Sequence, residues 1–242
     1  MQDEAIIIDR RFRGPPSSGN GGYVAGLVAK AIGGSDCVVT LRAPPPLETA
    51  LTLQSDGSGA RLMAGGTLIA AAMPAELAIE VPPPPSGEAA ARAQARFSGF
   101  EQHVFPGCFV CGPERREGDG LRIFPGTVGS AEGPVAAAWR PDAGLADPEK
   151  RVRPEFVWAA LDCPGYFAVQ GHSGPAVLGR LSAVLHRDII AGDEMIVTGW
   201  RIASDGLKHQ AGTAIHDSQG RLCAAAEATW IGIASADWEG QG

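Results

Sequence analysis

A repeated pattern is the feature that most constrains how this chain can fold. Residues 66–72 (GTLIAAA) and residues 220–226 (GRLCAAA) share the pattern G-x-L-x-A-A-A. An Asp-Gly pair precedes each copy, at residues 55–57 and 204–206, and Asp-Gly between alternating segments is a strong hairpin signal. A helix-like segment lies upstream of each hairpin, over residues 21–32 and 155–163. The sequence therefore predicts one unit twice, each a strand, a helix and about four antiparallel strands.

The length of the chain fits two such units. It has 242 residues, and its 33 glycines and 19 prolines favour a sheet-rich fold with many tight turns. Four consecutive prolines at residues 82–85 form a stiff spacer, and the Ala/Arg-rich stretch 88–96 predicts a short surface helix. We therefore expect an N-terminal unit over residues 1–86, a linker over 87–97 and a C-terminal unit over 98–236.

Charge and composition exclude several classes of partner. The net charge is −7 and no dense Lys/Arg cluster occurs, which argues against binding to nucleic acid. No apolar run approaches the ~18 residues of a membrane span, and the first residues do not have the pattern of a signal peptide. Five cysteines, an odd number, give no disulfide framework, so we expect a reducing cytoplasm and no membrane partner.

Asp162 ends a run of apolar residues in the stretch PEFVWAALDCPG. Pro154 suits the first position of a helix, and Glu155 suits its first turn. A helix that is apolar on every face is buried, so an aspartate there must be paired, hydrogen-bonded or shifted in pKa. The alternative is that Asp162 is a cap or turn residue just before Pro164.

Further motifs resemble a known family. One buried helix followed by antiparallel strands resembles the hotdog fold, in which a curved sheet wraps a central helix. Residues 108–113 (CFVCGP) and 120–124 (GLRIF) resemble the C-x-x-C-G-P…G-L-x-L-x-F opening of many hotdog acyl-CoA thioesterases. Residues 185–194 are similar to the family's strand end that leads into R-P…G-D. The resemblance covers nearly the whole chain and implies an α+β fold of two tandem hotdog units packed as a pseudo-dimer.

The resemblance also implies a composite site. In the thioesterase branch related to the phenylacetate pathway, His-Gly-Gly begins the helix and a catalytic acid lies seven residues past the second Gly. Residues 153–155 (RPE) take the His-Gly-Gly place in the second half, and the acid Asp162 follows at that offset. In the first half, residues 20–22 (NGG) match closely, but the acid position holds Ala29. Each half keeps what the other lacks, which implies one complete site and one degenerate site.

Thioester hydrolysis then gives each residue a role. Asp162 activates a water as general base, or attacks directly and forms an anhydride. N–H groups at the helix start, Gly21 and Gly22, polarise the thioester carbonyl, an effect worth ~3–4 kcal/mol per well-placed donor. Asn20 caps the helix and orients the substrate, or acts as a cap alone. Tyr23 lines the acyl pocket or belongs to the core.

Two further substrate-binding candidates lie on the strand after the second helix. Arg180 and Ser182 fall near the place where the family has a Ser or Thr that assists the acid. The implied substrate is a small acyl thioester that carries coenzyme A as part of itself, with no other cofactor. Pairing of two such chains into a homodimer stays open, and the pattern does not identify the acyl group.

A metal site is one alternative. Cys108 and Cys111 have C-x-x-C spacing, and His103 lies nearby. No second ligand pair with similar spacing accompanies them, because the other three cysteines are isolated along the sequence: Cys37, Cys163 and Cys223. We therefore expect no structural zinc site and no metal.

Two other functions compete with hydrolysis. A hotdog hydratase would place a histidine a few residues from its acid, whereas His172 lies ten residues beyond Asp162. A non-catalytic acyl-thioester-binding or assembly protein, with both sites decayed, is the alternative from a different class. An Asp162→Asn variant separates this alternative from an enzyme, because a binding protein has no turnover to lose.

Overall fold

The computed structural model of the protein describes residues 2–130 and 132–233. Its first half contains one α-helix and five strands: β1 (Gln2–Ile7), α1 (Gly21–Lys30), β2 (Cys37–Leu41), β3 (Ala50–Ser55), β4 (Ala60–Ala64) and β5 (Thr67–Pro74). Helix α2 (Gly87–Gln94) follows the proline spacer, as the sequence predicts, and its buried alanines pack against Ala136 and Ile196. Among the described helices, none is long and apolar enough to cross a membrane.

The second half has more helix than predicted. Its elements are β6 (Gly126–Thr127), β7 (Val135–Trp139), α3 (Pro154–Ala160), α4 (Cys163–Ser173), β8 (Ala176–Leu185), β9 (Met195–Asp205), β10 (Lys208–Asp217) and β11 (Leu222–Gly232). The prediction of a single helix over 155–163 was wrong: α3 ends at Ala160, and a second helix, α4, begins at Cys163. Pro164 lies in the first turn of α4, where a helix needs no donor from it, and so starts the second helix.

All strands belong to one antiparallel sheet. Its order is β1-β3-β4-β5-β2-β8-β11-β10-β9-β7-β6. From the centre outward, the strands of the first half (β2, β5, β4, β3, β1) therefore correspond one by one to those of the second half (β8, β11, β10, β9, β7). The halves join where β2 pairs with β8, for example Val38 with Ser182. The predicted α+β class with antiparallel strands is confirmed. Of the predicted units, residues 1, 131 and 234–236 lie outside the described residues, and the boundaries at 86 and 98 stay predictions.

The hairpin turns follow the sequence signals. Gly57 between β3 and β4 has φ +81°, and Gly206 between β9 and β10 has φ +55°. These values lie in the left-handed region that glycine adopts without steric cost. The two Asp-Gly signals therefore correspond to turns at equivalent places in the two halves.

Helices α1 and α3 pack directly against each other at two glycines. A Cβ at Gly22 would lie 2.5 Å from Asp162 Cβ and 2.8 Å from the carbonyl oxygen of Trp158. A Cβ at Gly26 would lie 2.6 Å from Glu155 Cα. Gly22 at the start of α1 thus contacts the end of α3, and Gly26 further along α1 contacts the beginning of α3. The two helices therefore run antiparallel in close contact.

Candidate active site

The start of α1 is fixed by its own cap. Asn20 Oδ1 accepts a hydrogen bond from the backbone N–H of Tyr23 at 2.9 Å, and the Asn20 N–H donates to the Phe12 carbonyl at 2.8 Å. Asn20 is buried, with 3% of its surface exposed. The amide group of Asn20 is therefore held in one orientation, and its Nδ2 remains available as a donor to another group.

That amide meets the acid of the second half. Asp162 Oδ2 accepts hydrogen bonds from Asn20 Nδ2 at 2.8 Å and from the Gly22 N–H at 2.9 Å. Asp162 is 2% exposed, and within the described parts of the chain no group hydrogen-bonds to its Oδ1. The structure thus brings together the acid and the helix start that the sequence motifs assign to separate halves.

Burial dominates the electrostatics of this carboxyl group. The pKa of Asp162 is raised to about 7, mainly because the buried side chain loses its water and to a smaller extent because Cys108 lies nearby. The hydrogen bonds from Gly22 and Asn20 act in the opposite direction, because they stabilise the ionised form. The group therefore holds its proton far more strongly than an aspartate in water.

The backbone N–H groups at the start of α1 have partners that differ from those predicted. The sequence motif assigns both glycine N–H groups to a substrate carbonyl, whereas the Gly22 N–H is bonded to Asp162. The Tyr23 N–H is bonded to Asn20. Among the described residues none accepts a hydrogen bond from the Gly21 N–H, and Gly21 lines a cavity next to Asp162. Gly21 is thus the N–H group left for a ligand.

This cavity has a volume of about 380 Å³ and lies between the two halves. Four residues on its wall each carry a buried polar atom without a hydrogen-bond partner in the described chain: Asp162 Oδ1, His103 Nε2, Tyr166 OH and Trp230 Nε1. Most of the remaining wall is apolar, with Leu41, Pro44, Val104, Phe105, Leu178 and Ile231. A polar centre inside an apolar cavity is typical of small-molecule sites, since buried polar groups need partners.

Tyr23 lies in the core instead of the cavity wall. Its ring stacks on Phe12 at 4.2 Å between centroids and lies 5.8 Å from the Phe156 ring. Burial raises the pKa of Tyr23 to about 12, and the neighbouring Glu155 adds to the shift. The structure therefore gives Tyr23 the core position, the second of the two predicted readings.

Arg180 and Ser182 are not among the described residues that line the cavity. On β8, Leu178 pairs with Trp230 and Arg180 pairs with Thr229, so Gly179 is an extra residue that forms a β-bulge. The bulge shifts the alternation of faces, so the buried positions change from even to odd numbers beyond it. Both candidates therefore turn away from the site, and Leu178 and Gly179 line the cavity in their place.

Three thiols form a cluster that the sequence did not reveal. The sulfurs of Cys108, Cys111 and Cys163 all lie within 4.8 Å of one another, and all three residues are buried. Cys163 is isolated along the sequence, but in space the first turn of α4 lies beside the C-x-x-C turn. One signal in the sequence pointed to this position: Cys163 directly follows Asp162, so a site that contains Asp162 lies close to Cys163 as well.

The sulfurs differ in acidity. Hydrogen bonds from the other two thiols, with further bonds from the N–H groups of Cys111 and Val110, lower the pKa of Cys108. Burial and the neighbouring Cys108 raise the pKa of Cys111, and the same neighbour and burial raise that of Cys163. Cys108 is thus the most acidic of the three thiols.

The degenerate half-site is closed by packing. Glu155 is 5% exposed and lies 3.9 Å from Lys30 Nζ and 3.8 Å from Arg153 Nε. Ala29, at the position equivalent to Asp162, is fully buried. These residues therefore serve the contact between helices α1 and α3.

Comparison with known proteins identifies the fold. No family model matches the chain, and no curated protein matches it. A conserved protein of unknown function with a hot dog fold from Alicyclobacillus acidocaldarius is similar over 96% of this chain and 94% of its own, with TM-score 0.63 and 10% identity. The tesB protein of Mycobacterium avium subs paratuberculosis is similar over 96% and 93%, with TM-score 0.62 and 14% identity. A structure from Novosphingobium aromaticivorans named as a thioesterase is similar over 96% of both chains, with TM-score 0.62 and 13% identity. The chain therefore has the hotdog fold that the motifs predict.

Proposed function

We propose that the protein hydrolyses an acyl thioester in the cavity beside Asp162. One observation carries the proposal: the buried carboxylate of Asp162 is fixed through Oδ2 by Asn20 and Gly22, while Oδ1 has no partner among the described residues and the residue belongs to the cavity wall. A base held on one side and free on the other fits the activation of a water molecule. The similarity to thioesterase structures supports the hotdog fold, and the residues of the site support the proposed chemistry.

The cavity supplies the parts for both steps of hydrolysis. In its ionised form, Asp162 accepts a proton from a water bound at Oδ1, and that water attacks the thioester carbon. The Gly21 N–H at the positive end of α1 stabilises the oxyanion of the tetrahedral intermediate. Collapse of the intermediate breaks the C–S bond, and the proton held by Asp162 passes to the leaving thiolate. Direct attack by Asp162, through an anhydride that water then hydrolyses, uses the same groups.

For the thiol carrier of the substrate we propose coenzyme A. Arg42 is exposed, and it is the sole lysine or arginine among the described residues that line the cavity. A guanidinium at the rim binds the phosphates of coenzyme A while the apolar wall takes the acyl chain. The five free cysteines fit a reducing cytoplasm as the place of reaction.

A panel of acyl-CoA thioesters tests the proposal. Purified protein is mixed with short, branched, aromatic and long-chain acyl-CoAs, and release of free CoA thiol is measured. Asp162→Asn protein, prepared in parallel, reports any contaminating hydrolase. We expect turnover that the variant loses. Tight binding of acyl-CoA with no turnover by either protein would instead support the non-catalytic binding protein.

A further inference from the structure

We propose that Cys108, Cys111 and Cys163 bind one Zn²⁺ ion whose fourth coordination position faces the cavity. This departs from the sequence-based expectation of no metal, which counted the C-x-x-C pair without Cys163. The inference does not depend on thioester hydrolysis. It rests on the positions of three sulfurs and on the elements that hold them.

The sulfur positions match those around zinc. Cys108 Sγ and Cys163 Sγ lie 3.8 Å apart, and all three sulfurs lie within 4.8 Å of one another. A tetrahedral Zn²⁺ ion with bonds of about 2.3 Å keeps two sulfur ligands about 3.8 Å apart. The sulfurs of Cys108 and Cys163 therefore already have the spacing of two ligands on one ion, and the sulfur of Cys111 lies within 4.8 Å of both.

The first two ligands sit on a rigid turn. The Cys108 N–H donates to the Phe105 carbonyl at 2.8 Å, and the Gly112 N–H donates to the Cys108 carbonyl at 3.0 Å. A Cβ at Gly112 would lie 2.5 Å from the Cys108 nitrogen and oxygen, so this tight turn requires glycine. N–H groups of Val110 and Cys111 face the Cys108 sulfur. The C-x-x-C-G stretch is thus built to hold a thiolate.

The third ligand sits on a helix start. Cys163 is the first residue of α4, and the Gly165 N–H donates to the Asp162 carbonyl at 3.0 Å, which fixes the first turn. The ligands therefore come from two independently fixed elements, and metal binding needs little ordering of the chain. Such preorganisation favours affinity.

The ligand chemistry selects the ion. Three thiolates are soft ligands, which favour zinc and disfavour magnesium or calcium. Binding of Zn²⁺ to three thiols forms three Zn–S bonds and releases three protons to solvent, so the site carries one net negative charge. No oxidant or reductant takes part.

The fourth position is open to the cavity. All three cysteines line it, together with His103, Asp162 and Tyr166, whose polar atoms lack partners in the described chain. Three protein ligands with an exchangeable fourth position is the arrangement of zinc sites that bind water or a ligand. A cavity water, or a polar group of a bound small molecule, completes the tetrahedron.

The test measures metal content on the reduced full-length chain. Protein is incubated with Zn²⁺, freed of excess ion by gel filtration and analysed by elemental mass spectrometry. Binding of Co²⁺ in a parallel sample is followed by its thiolate charge-transfer absorption. We expect one ion per chain. We also expect Cys108→Ser and Cys163→Ser to weaken binding by at least about tenfold, since even a hydrogen-bond partner of a metal ligand is worth 10- to 100-fold in affinity.

Two other buried cysteines supply matched controls. Cys37 and Cys223 are buried but do not belong to the cluster, so Cys37→Ser and Cys223→Ser should bind zinc as the wild type does. Circular dichroism shows whether each variant is folded, and the cobalt spectrum of the wild type reports thiolate ligands even if one variant unfolds. Wild-type protein that retains no zinc and gives no cobalt–thiolate absorption would overturn the proposal, as would undiminished binding by folded Cys163→Ser. Neither result bears on hydrolysis, which is read from CoA release by the wild type and Asp162→Asn.

Discussion

The carboxylate of Asp162 accepts a hydrogen bond from the backbone N–H of Gly22 at 2.9 Å. The acid comes from the second half of the chain and the donor from the first, and both are buried. Because the donor is a backbone group, a substitution at residue 22 leaves the N–H in place unless it introduces proline. The position of the acid therefore depends on where α1 begins and on how closely the two helices approach.

Asp162→Asn should lower kcat by at least about 10²-fold, the scale of general-base loss. Asparagine keeps the size of the side chain and still accepts from Asn20 and Gly22, so we expect little loss of stability in a thermal melt. The measurement is CoA release under saturating substrate.

Glu155→Gln is the matched control for this variant. Glu155 is a buried carboxylate on the neighbouring helix, and it belongs to the closed half-site. The variant should retain kcat within about twofold, because Glu155 is not among the described residues that line the cavity. Full activity in Asp162→Asn together with its loss in Glu155→Gln would reverse the assignment of the site.

Asn20→Ser should separate capping from positioning of the acid. Serine caps helices as well as asparagine does, so the free energy of unfolding should fall only by the about 1–3 kcal/mol of the lost hydrogen bond to Asp162. Serine has no amide to donate to Asp162 Oδ2, so kcat should fall about tenfold or more while KM changes little. Steady-state kinetics and urea denaturation provide the two readouts. A fall in stability with kcat intact would leave Asn20 a cap only.

Gly22→Ala should destabilise the contact between the helices. The new Cβ would lie 2.5 Å from Asp162 Cβ and 2.8 Å from the Trp158 carbonyl oxygen. Relief of such crowding typically costs about 1–3 kcal/mol, and here it also displaces the acid, so activity should fall with stability. Gly171→Ala in α4 is the control, because a Cβ there meets nothing within 4 Å. That control should gain up to about 1 kcal/mol in urea denaturation.

Arg42→Ala should raise KM for acyl-CoA about two- to fivefold without changing kcat, the effect of losing one exposed ion pair. The matched control is Arg61→Ala, an exposed arginine on β4 that is not among the described cavity residues. Thioesters of pantetheine, which lack the nucleotide phosphates, should show no difference between Arg42→Ala and the wild type. If Arg42→Ala and the wild type had the same KM for acyl-CoA, Arg42 would not belong to the site that binds the carrier.

Tyr23 should make stability fall in alkaline solution. An unfolded tyrosine ionises near pH 10, whereas the folded protein holds the Tyr23 proton until its pKa of about 12. Between these values the unfolded state binds fewer protons, so its formation becomes easier as pH rises. The free energy of unfolding should therefore drop by up to about 2–3 kcal/mol beyond the drop in Tyr23→Phe, which lacks the phenol. Urea denaturation at pH 9 and pH 11.5 compares the two proteins, and identical slopes would contradict the burial argument.

Local patterns in the sequence predicted the antiparallel strands, and the family resemblance led to the prediction of Asp162 as the acid. The Asp-Gly pairs carry their own backbone preference, so both hairpins were visible. The offset between residues 20–22 and Ala29, compared with that before Asp162, indicated which half keeps which component. Such signals survive because they depend on neighbours along the chain.

The remaining features depend on contacts that no local pattern encodes. Cys163 joins Cys108 across 55 positions of sequence, so spacing could not show the cluster. Arg180 and Ser182 were proposed from the family's position for a Ser or Thr, and that resemblance does not show the bulge at Gly179, which shifts the alternation of the strand by one residue. The use of the Gly22 N–H by Asp162 follows from how close the helices lie, a distance that sequence does not give.

The pairing of β2 with β8 also sets when the protein becomes functional during synthesis. Strand β2 is complete by residue 41, whereas β8 begins at residue 176. A ribosome that adds about 5–20 residues per second leaves the β2 edge without its partner for several seconds or longer. In that interval the nascent first half exposes a strand edge to other chains, an aggregation hazard that ends when β8 docks. Since Asn20 and Asp162 lie 142 positions apart, the same event that protects this edge also assembles the site.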